Sequence, residues 1–189
     1  MPPRAALLAA LLCVLPQAEA QKPSARIEKK TYAFKEAGRD MEYALFVPSG
    51  YEKGKKSPLM IALHGLGGNP QQIIRYPGLV DLAEKHGYIV AAPMGYNTKG
   101  WYGARPLVKG DGPADLAELS EKDVMNVLEI VRKEYTVDAG RIYLMGHSMG
   151  GGGTWHIGIK NPDLFAALAP IAPATARPVS DLEKIKHVP

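Results

Sequence analysis

Arg141-Ile142-Tyr143-Leu144-Met145-Gly146-His147-Ser148-Met149-Gly150-Gly151-Gly152-Gly153-Thr154 is the stretch that decides how this chain folds. Its first half, Arg141 to Met145, is a mostly apolar run of strand length. Its second half is a run of small residues that opens a helix. Between them Gly146-His147-Ser148-Met149-Gly150 must turn the chain sharply, which pushes the Ser148 side chain into a strained, exposed position at the top of a sheet. Glycines flank it because a Cβ does not fit where strand, helix and loop meet so closely. The helix that follows aims its free N–H groups and positive dipole end at the Ser148 hydroxyl. A serine held this way suits attack on a carbonyl carbon. The bland alternative is a glycine-rich corner with an incidental serine. A bare G-x-S-x-G is weak, but a strand before it and a helix after it favour the nucleophile.

Upstream, Ile27 to Phe34 and Met41 to Val47 alternate in part and are separated by Ala37-Gly38-Arg39-Asp40, which predicts an antiparallel hairpin. Pro48 to Ser57 reads as a surface loop. Leu59 to Leu63 is a continuous apolar run, the mark of a buried parallel strand. It runs directly into His64-Gly65-Leu66-Gly67-Gly68-Asn69-Pro70, a loop whose glycines let its backbone lie close to a ligand. A helix is expected over Gly78 to His86 with Gly87 as its C-cap, and a strand over Tyr88 to Pro93. Met94 to Leu116 is long and aperiodic, with Tyr96, Trp101 and Tyr102 among its glycines. Such loops are usually functional or disordered. Trp101 and Tyr102 read either as a wall facing substrate or as pins holding the loop to the body. Ser120 is expected to begin a strong helix with Asp123 at the third position of a capping box, so Asp123 reads as a cap and not a catalytic acid. Val124, Val127, Leu128, Val131 and Tyr135 would form its apolar face. Val137 to Gly140 reads as a turn, the helix after Ser148 runs to about Lys160, Leu164 to Ile171 is a further strand, Pro170, Pro173 and Pro178 mark loop, and Asp181 to Lys186 is a short helix. Strand and helix alternate from residue 58 onward. The fold class is therefore α/β: a mostly parallel sheet with helices on both faces, behind an N-terminal antiparallel hairpin.

The 189 residues suit one domain, and no boundary is visible inside 27–189. The net charge of +4 comes without a basic block, which argues against nucleic acid as a partner. The N-terminus carries Arg4, an apolar run from Ala5 to Leu15 too short to span a bilayer, and the small-x-small site Ala18-Glu19-Ala20. Residues 1–20 therefore read as an export signal, 21–26 as a loose polar leader, and the mature chain as starting at Gln21, periplasmic or extracellular. Beyond that segment nothing is long and apolar enough to span a membrane. The single cysteine, Cys13, lies inside the signal, which leaves the exported chain without a disulfide. Neither a metal nor a nucleotide cofactor is indicated. No H-x-x-x-H or clustered Asp/His spacing is present, the Gly151–Gly153 run lacks the Lys-Ser/Thr of a P-loop, and no Gly-x-Gly-x-x-Gly follows the first strand.

With these residues in hand the chain resembles the α/β-hydrolase fold over nearly all of 40–189. It looks most like secreted esterases of the polyhydroxybutyrate-depolymerase and feruloyl-esterase type and like the prolyl-oligopeptidase catalytic domains. Two motifs carry the likeness, His64-Gly65-Leu66-Gly67-Gly68 after the third strand and Gly146-His147-Ser148-Met149-Gly150 after the fifth. The resemblance implies Ser148 as nucleophile and the backbone N–H groups of Leu66 and Met149 as the oxyanion hole. It also implies that His64 shapes its loop and that His147 points into the body.

The same resemblance implies an acid and a histidine after the nucleophile, in that order. His156 stands eight residues beyond Ser148, roughly 12 Å along a helix axis. His187 precedes the expected strand and would have to be recruited from the wrong place, and Asp163 and Asp181 are better explained as a helix-breaking turn and an N-cap. The acid and base are thus expected beyond Pro189, and the sheet is expected to lack its last strands and to expose an apolar edge. Either the chain is a fragment of a longer esterase, or it is a complete but inactive product. Three activities fit: a secreted serine esterase acting through an acyl-enzyme on small or polymeric esters, a serine peptidase of prolyl-oligopeptidase type, and a non-catalytic binding module using the Tyr96–Tyr102 loop.

Overall fold

The computed structural model describes residues 22–105, 109–174 and 179–189. The export signal expected over residues 1–20, residues 106–108 of the long loop, and Pro178 lie outside the described residues.

A six-stranded sheet in the order β1-β2-β4-β3-β5-β6 organises the chain. β1 (Glu28–Phe34) and β2 (Arg39–Phe46) form the expected hairpin, with Glu28 opposite Leu45 and Phe34 opposite Arg39. Their turn is one 3₁₀ turn, Lys35–Ala37, closed by Gly38 at φ 62°, a left-handed conformation that glycine adopts without strain. β2 runs antiparallel to β4 (Ile89–Pro93). From there β3 (Ser57–Leu63), β5 (Val137–His147) and β6 (Ala167–Ile171) join β4 in parallel.

The apolar runs in β3 and β4 are continuous because both faces of these strands are covered. Leu59, Ile61 and Leu63, with Ile89 and Ala91, pack under α3 (Leu116–Glu134) and α4 (Met149–Lys160). Ala62, Val90 and Ala92 face the other way, under α1 (Pro70–Ile73) and α2 (Leu79–His86). Val124, Val127, Leu128 and Val131 of α3 are fully buried. That stripe contributes roughly 1.5–3 kcal/mol per side chain. The exposed Glu129–Arg132 pair on the same helix belongs to a class worth about 0.3–0.5 kcal/mol, so packing decides where α3 lies.

Because β3, β4, β5 and β6 are mutually parallel, their C-terminal ends share one edge of the sheet. The segments 64–68, 94–102, 146–150 and 171–174 all leave from it, which is where open α/β sheets place their sites.

Several expectations are corrected. Residues 23–26 are not a loose leader but a 3₁₀ turn, anchored by an Arg26–Glu84 ion pair and by Arg26 lying 5.1 Å over the Phe46 ring. α1 was not foreseen, although Asn69-Pro70 signals it: Asn69 Oδ1 caps the Gln72 N–H and the proline takes the first position. Val137 to Gly140 is strand, not turn. Ser57 pairs with Val137 while Leu59 pairs with Ile142, so β5 bulges there and continues. α3 starts at Leu116, one turn before Ser120. The last strand begins at Ala167, after a turn closed by the Leu164 N–H on Asn161 O. The outer edge of β6 is open among the described residues, Ile171 is 45% exposed, and the Leu168 N–H donates to Pro189 O at 2.8 Å. No helix among the described residues is long and apolar enough to cross a membrane.

Candidate active site

Ser148 sits at φ 57°, ψ −112°, a conformation that L-residues avoid, and it is the N-cap of α4. Three backbone hydrogen bonds hold it there. Its N–H donates to Ile171 O at 2.9 Å, and its carbonyl accepts from Gly152 and Ala174, each at 3.0 Å. Its hydroxyl makes no capping bond to the helix. The first turn of α4 has no acidic side chain, so the positive helix end is left unneutralised beside that hydroxyl.

The glycines around it are explained one by one by what stands next to them. A Cβ on Gly146 would lie 2.2 Å from Gly150 O, and one on Gly150 would lie 2.2 Å from Leu63 O. Further along, Gly151 abuts Ile171 O, Gly152 abuts Ala174 O, and Gly153 takes the Tyr102 ring. The small-residue run is therefore an interface on which three strand ends and a loop meet.

The His64–Gly68 loop lies against this corner. A Cβ built on Gly65 would stand 3.6 Å from Ser148 Cβ and 3.5 Å from His147 O. The loop is pinned by Gly68 N–H on Gly65 O and by Gly67 N–H on Thr98 O, both 2.9 Å. That leaves the N–H of Leu66 between two pinned residues, while the Leu66 side chain is 57% exposed. Met149 is fully buried at the first position of α4, and its N–H is one of the unpaired donors of that helix end. Met149 thus follows Ser148 directly, and Gly65, the residue before Leu66, packs beside it.

His64 is 1% exposed. Its Nδ1 lies 2.8 Å from Gly65 O and its Nε2 2.8 Å from Met94 O, so it ties its own loop to the loop after β4. Burial holds its pKa below the usual histidine value, against the opposing pull of those two carbonyls. His147 does not point into the body. It is half-buried, with its ring against Tyr76 and its Nδ1 3.1 Å from the Tyr76 hydroxyl, because the strand alternation that buries Gly146 turns His147 outward.

The aromatic pair divides. Tyr102 is fully buried, and its hydroxyl accepts the His64 N–H at 3.1 Å, so it pins the loop and has no surface for a substrate. The reading as a substrate wall is corrected for this residue: the backbone turns inward at φ 52°, and the ring fills the space left by Gly95 and Gly153. Trp101 is half-buried, with the Arg105 guanidinium 4.1 Å over its ring.

Asp123 is not a cap either. It lies in the second turn of α3, fully buried, and accepts from the Tyr32 hydroxyl and from the N–H groups of Gly95 and Tyr96. Burial pushes its pKa up to about 6, against the pull of these donors and of Arg39. An unfolded aspartate titrates near ~3.9. The folded chain therefore binds the extra proton between about pH 4 and 6. Its contribution to stability is present below that window and is lost as pH rises through it. Asp123→Asn should remove this component: urea midpoints of wild type and variant, compared at pH 4.5 and 6.5, should differ in slope by roughly one proton. Parallel pH dependences would refute the assignment.

None of the chain's five histidines bonds the Ser148 hydroxyl. Besides His64 and His147, His156 Nε2 pairs with Glu121 at 2.9 Å, His187 Nε2 lies 3.9 Å from Asp163, and His86 ends α2 on the opposite face of the sheet. Sequence reasoning missed Ser120 and Asp123, whose partners lie in the loop after β4 and leave no local signal.

Comparison with known proteins agrees with this geometry. The Esterase family matches residues 35–181. The S-formylglutathione hydrolase of Bos taurus is 31% identical over 146 residues, which is 70% of this chain and 51% of that protein. The bifunctional acetylxylan esterase/xylanase XynS20E of Neocallimastix patriciarum is 31% identical over 137 residues, 71% of this chain and 18% of that protein. Among solved structures, a thermostable esterase superposes with a TM-score of 0.65 at 30% identity, covering 88% of this chain and 46% of its own. The fold is that of the α/β-hydrolases. The chain spans about half the length of the S-formylglutathione hydrolase it matches, and less of the other two.

Proposed function

The chain belongs to the Esterase family, and on that premise we propose that it carries the nucleophile and oxyanion hole of a serine esterase. The observation that supports this reading is Ser148 at φ 57°, ψ −112°, at the N-terminus of α4. In the proposed reaction Ser148 Oγ adds to the ester carbonyl carbon and its proton passes to a general base. The carbonyl electron pair moves onto oxygen. That oxyanion accepts from the N–H groups of Leu66 and Met149, each worth about 10²–10³-fold in rate. The tetrahedral adduct expels the alcohol with a proton and leaves an acyl-enzyme, which water opens by the same steps in reverse order. No described histidine bonds the Ser148 hydroxyl, so the proposal covers the nucleophile and the oxyanion donors.

The relatives' names share one feature, release of an acyl group to water, from acetylxylan in one and S-formylglutathione in the other. A carboxylic ester is the corresponding substrate class for this chain. Of Trp101 and Tyr102, only Trp101 has exposed surface to offer a substrate. Export also belongs to this reading, supported by Arg4, the Ala5–Leu15 run and Ala18-Glu19-Ala20.

A fluorophosphonate probe tests both parts on protein recovered from its natural host. The expected result is a single tagged peptide carrying Ser148, on a chain whose N-terminus is Gln21. A tag on another residue would remove the mechanism, and a chain starting at Met1 would remove the export signal.

A further inference from the structure

The segment after β4 holds three aromatic residues in left-handed backbone conformations, Tyr96 at φ 68°, Trp101 at φ 55° and Tyr102 at φ 52°. Each costs of order 1–3 kcal/mol and persists only where surrounding contacts over-determine it. The contacts come from one face of α3. Ser120 Oγ accepts the Tyr102 N–H at 3.0 Å and donates to Gly95 O at 2.7 Å. One turn on, Asp123 accepts the Gly95 N–H at 2.6 Å and the Tyr96 N–H at 3.4 Å. Both side chains are fully buried. Gly100 approaches so closely that a Cβ there would stand 2.3 Å from Ser120 Oγ.

The clamped segment in turn grips the loop after β3 at three points. Met94 O meets His64 Nε2, the Tyr102 hydroxyl accepts the His64 N–H, and Thr98 O accepts the Gly67 N–H. Those bonds bracket Leu66, and Gly65 of the same loop packs against Ser148. An unbroken run of hydrogen bonds thus leads from α3 to the backbone beside the nucleophile.

We infer that Ser120 and Asp123 are positioning residues, which set the Leu66 N–H for the oxyanion by holding the 94–102 segment in its strained shape. The inference rests on the esterase reading. A donor displaced by about 1 Å can lose about 10²-fold in rate. The substrate itself does not touch α3 through these residues, so its affinity should not change.

The test compares wild type, Ser120→Ala and Asp123→Asn, each in a protein that supplies the general base, on p-nitrophenyl acetate, with rates counted per folded molecule. Val131→Ala, a core truncation at the far end of the same helix, is the control for plain destabilisation. The expected result is a fall of about 10–100-fold in kcat at nearly constant KM for both clamp variants. It should be accompanied by faster hydrogen exchange at the Gly67 amide but not at amides of β3, and Val131→Ala should keep wild-type kcat. If Asp123→Asn does not fold, Ser120→Ala and Tyr102→Phe carry the test, since each removes a hydroxyl from the chain of hydrogen bonds and leaves the packing. Unchanged kcat in the clamp variants, with wild type labelled at Ser148, would overturn this inference alone. A wild type that neither hydrolyses the ester nor labels at Ser148 would overturn the esterase reading and this inference with it.

Discussion

In a protein that supplies the general base beside this chain, Ser148→Ala should lower kcat for ester hydrolysis by about 10⁶-fold, the scale seen when the nucleophile of a serine hydrolase is removed. The loss is that large because no other described side chain stands where it could replace the attacking oxygen. Water would have to be activated at a site whose donors are aimed at an adduct of Ser148. The same position makes a second, independent prediction about stability. Alanine keeps the Cβ that makes φ 57°, ψ −112° unfavourable, so Ser148→Ala should melt close to wild type. Ser148→Gly removes the Cβ and should be more stable by about 1–3 kcal/mol. For a chain of this size each kcal/mol is worth about 2–4 °C in Tm. Calorimetry of the three proteins beside an ester assay separates the two effects. Full activity in Ser148→Ala would sink the nucleophile, and a Ser148→Gly variant no more stable than Ser148→Ala would show that the corner stores no strain.

Gly150→Ala should be severely destabilising for a single added methyl, at more than about 4 kcal/mol. Its Cβ would stand 2.2 Å from Leu63 O, 2.6 Å from Leu63 C and 2.8 Å from His64 O. All three are backbone atoms at or just past the end of a strand paired on both sides, with β4 and β5, so none can swing away as a side chain would. Relief requires α4 to lift off the sheet. That would carry Met149 and Ser148 away from the Gly65 loop and strip contacts from the buried Met149 and Ile157. Gly38→Ala makes the contrast. Nothing lies within 4 Å of its Cβ and only the φ of +62° opposes it, so its cost should be about 1 kcal/mol. Urea unfolding of both variants, with soluble yield and fluorophosphonate labelling of Gly150→Ala, checks the pair. A Gly150→Ala protein with wild-type stability and labelling would mean that the close packing of α4 on β3 is wrong.

The esterase reading and the α3 clamp stand at different distances from the sequence. The nucleophile corner was legible because every part of it is local. An apolar strand, a glycine on each side of Ser148 and a helix start within a few residues dictate the turn whatever surrounds it. The loop after β3 was legible for the same reason, since its glycines follow directly on a buried strand. The hairpin, the order of strand and helix, and the apolar face of α3 follow from periodicities of two and 3.6 that each segment carries by itself.

Misreadings arose where a side chain's partner is distant along the chain. Ser120 and Asp123 have the spacing of a capping box, but their acceptors and donors lie 25 and 28 residues away in the loop after β4, and Asp123 also meets Tyr32 across 91 residues. Tyr102 looks like any loop aromatic until the His64 backbone, 38 residues earlier, claims its hydroxyl. The family resemblance turns His147 into the body, yet its ring lies outward against Tyr76, 71 residues earlier. The sequence by itself determined the α/β class, the strands that end at one edge, and the serine at the sharpest turn, because local sterics and burial periodicity act within a few residues. Only the tertiary structure decided which polar groups hold that edge together. A buried donor or acceptor must be satisfied by whatever the fold brings beside it, and nothing in a chain's local pattern says what that will be.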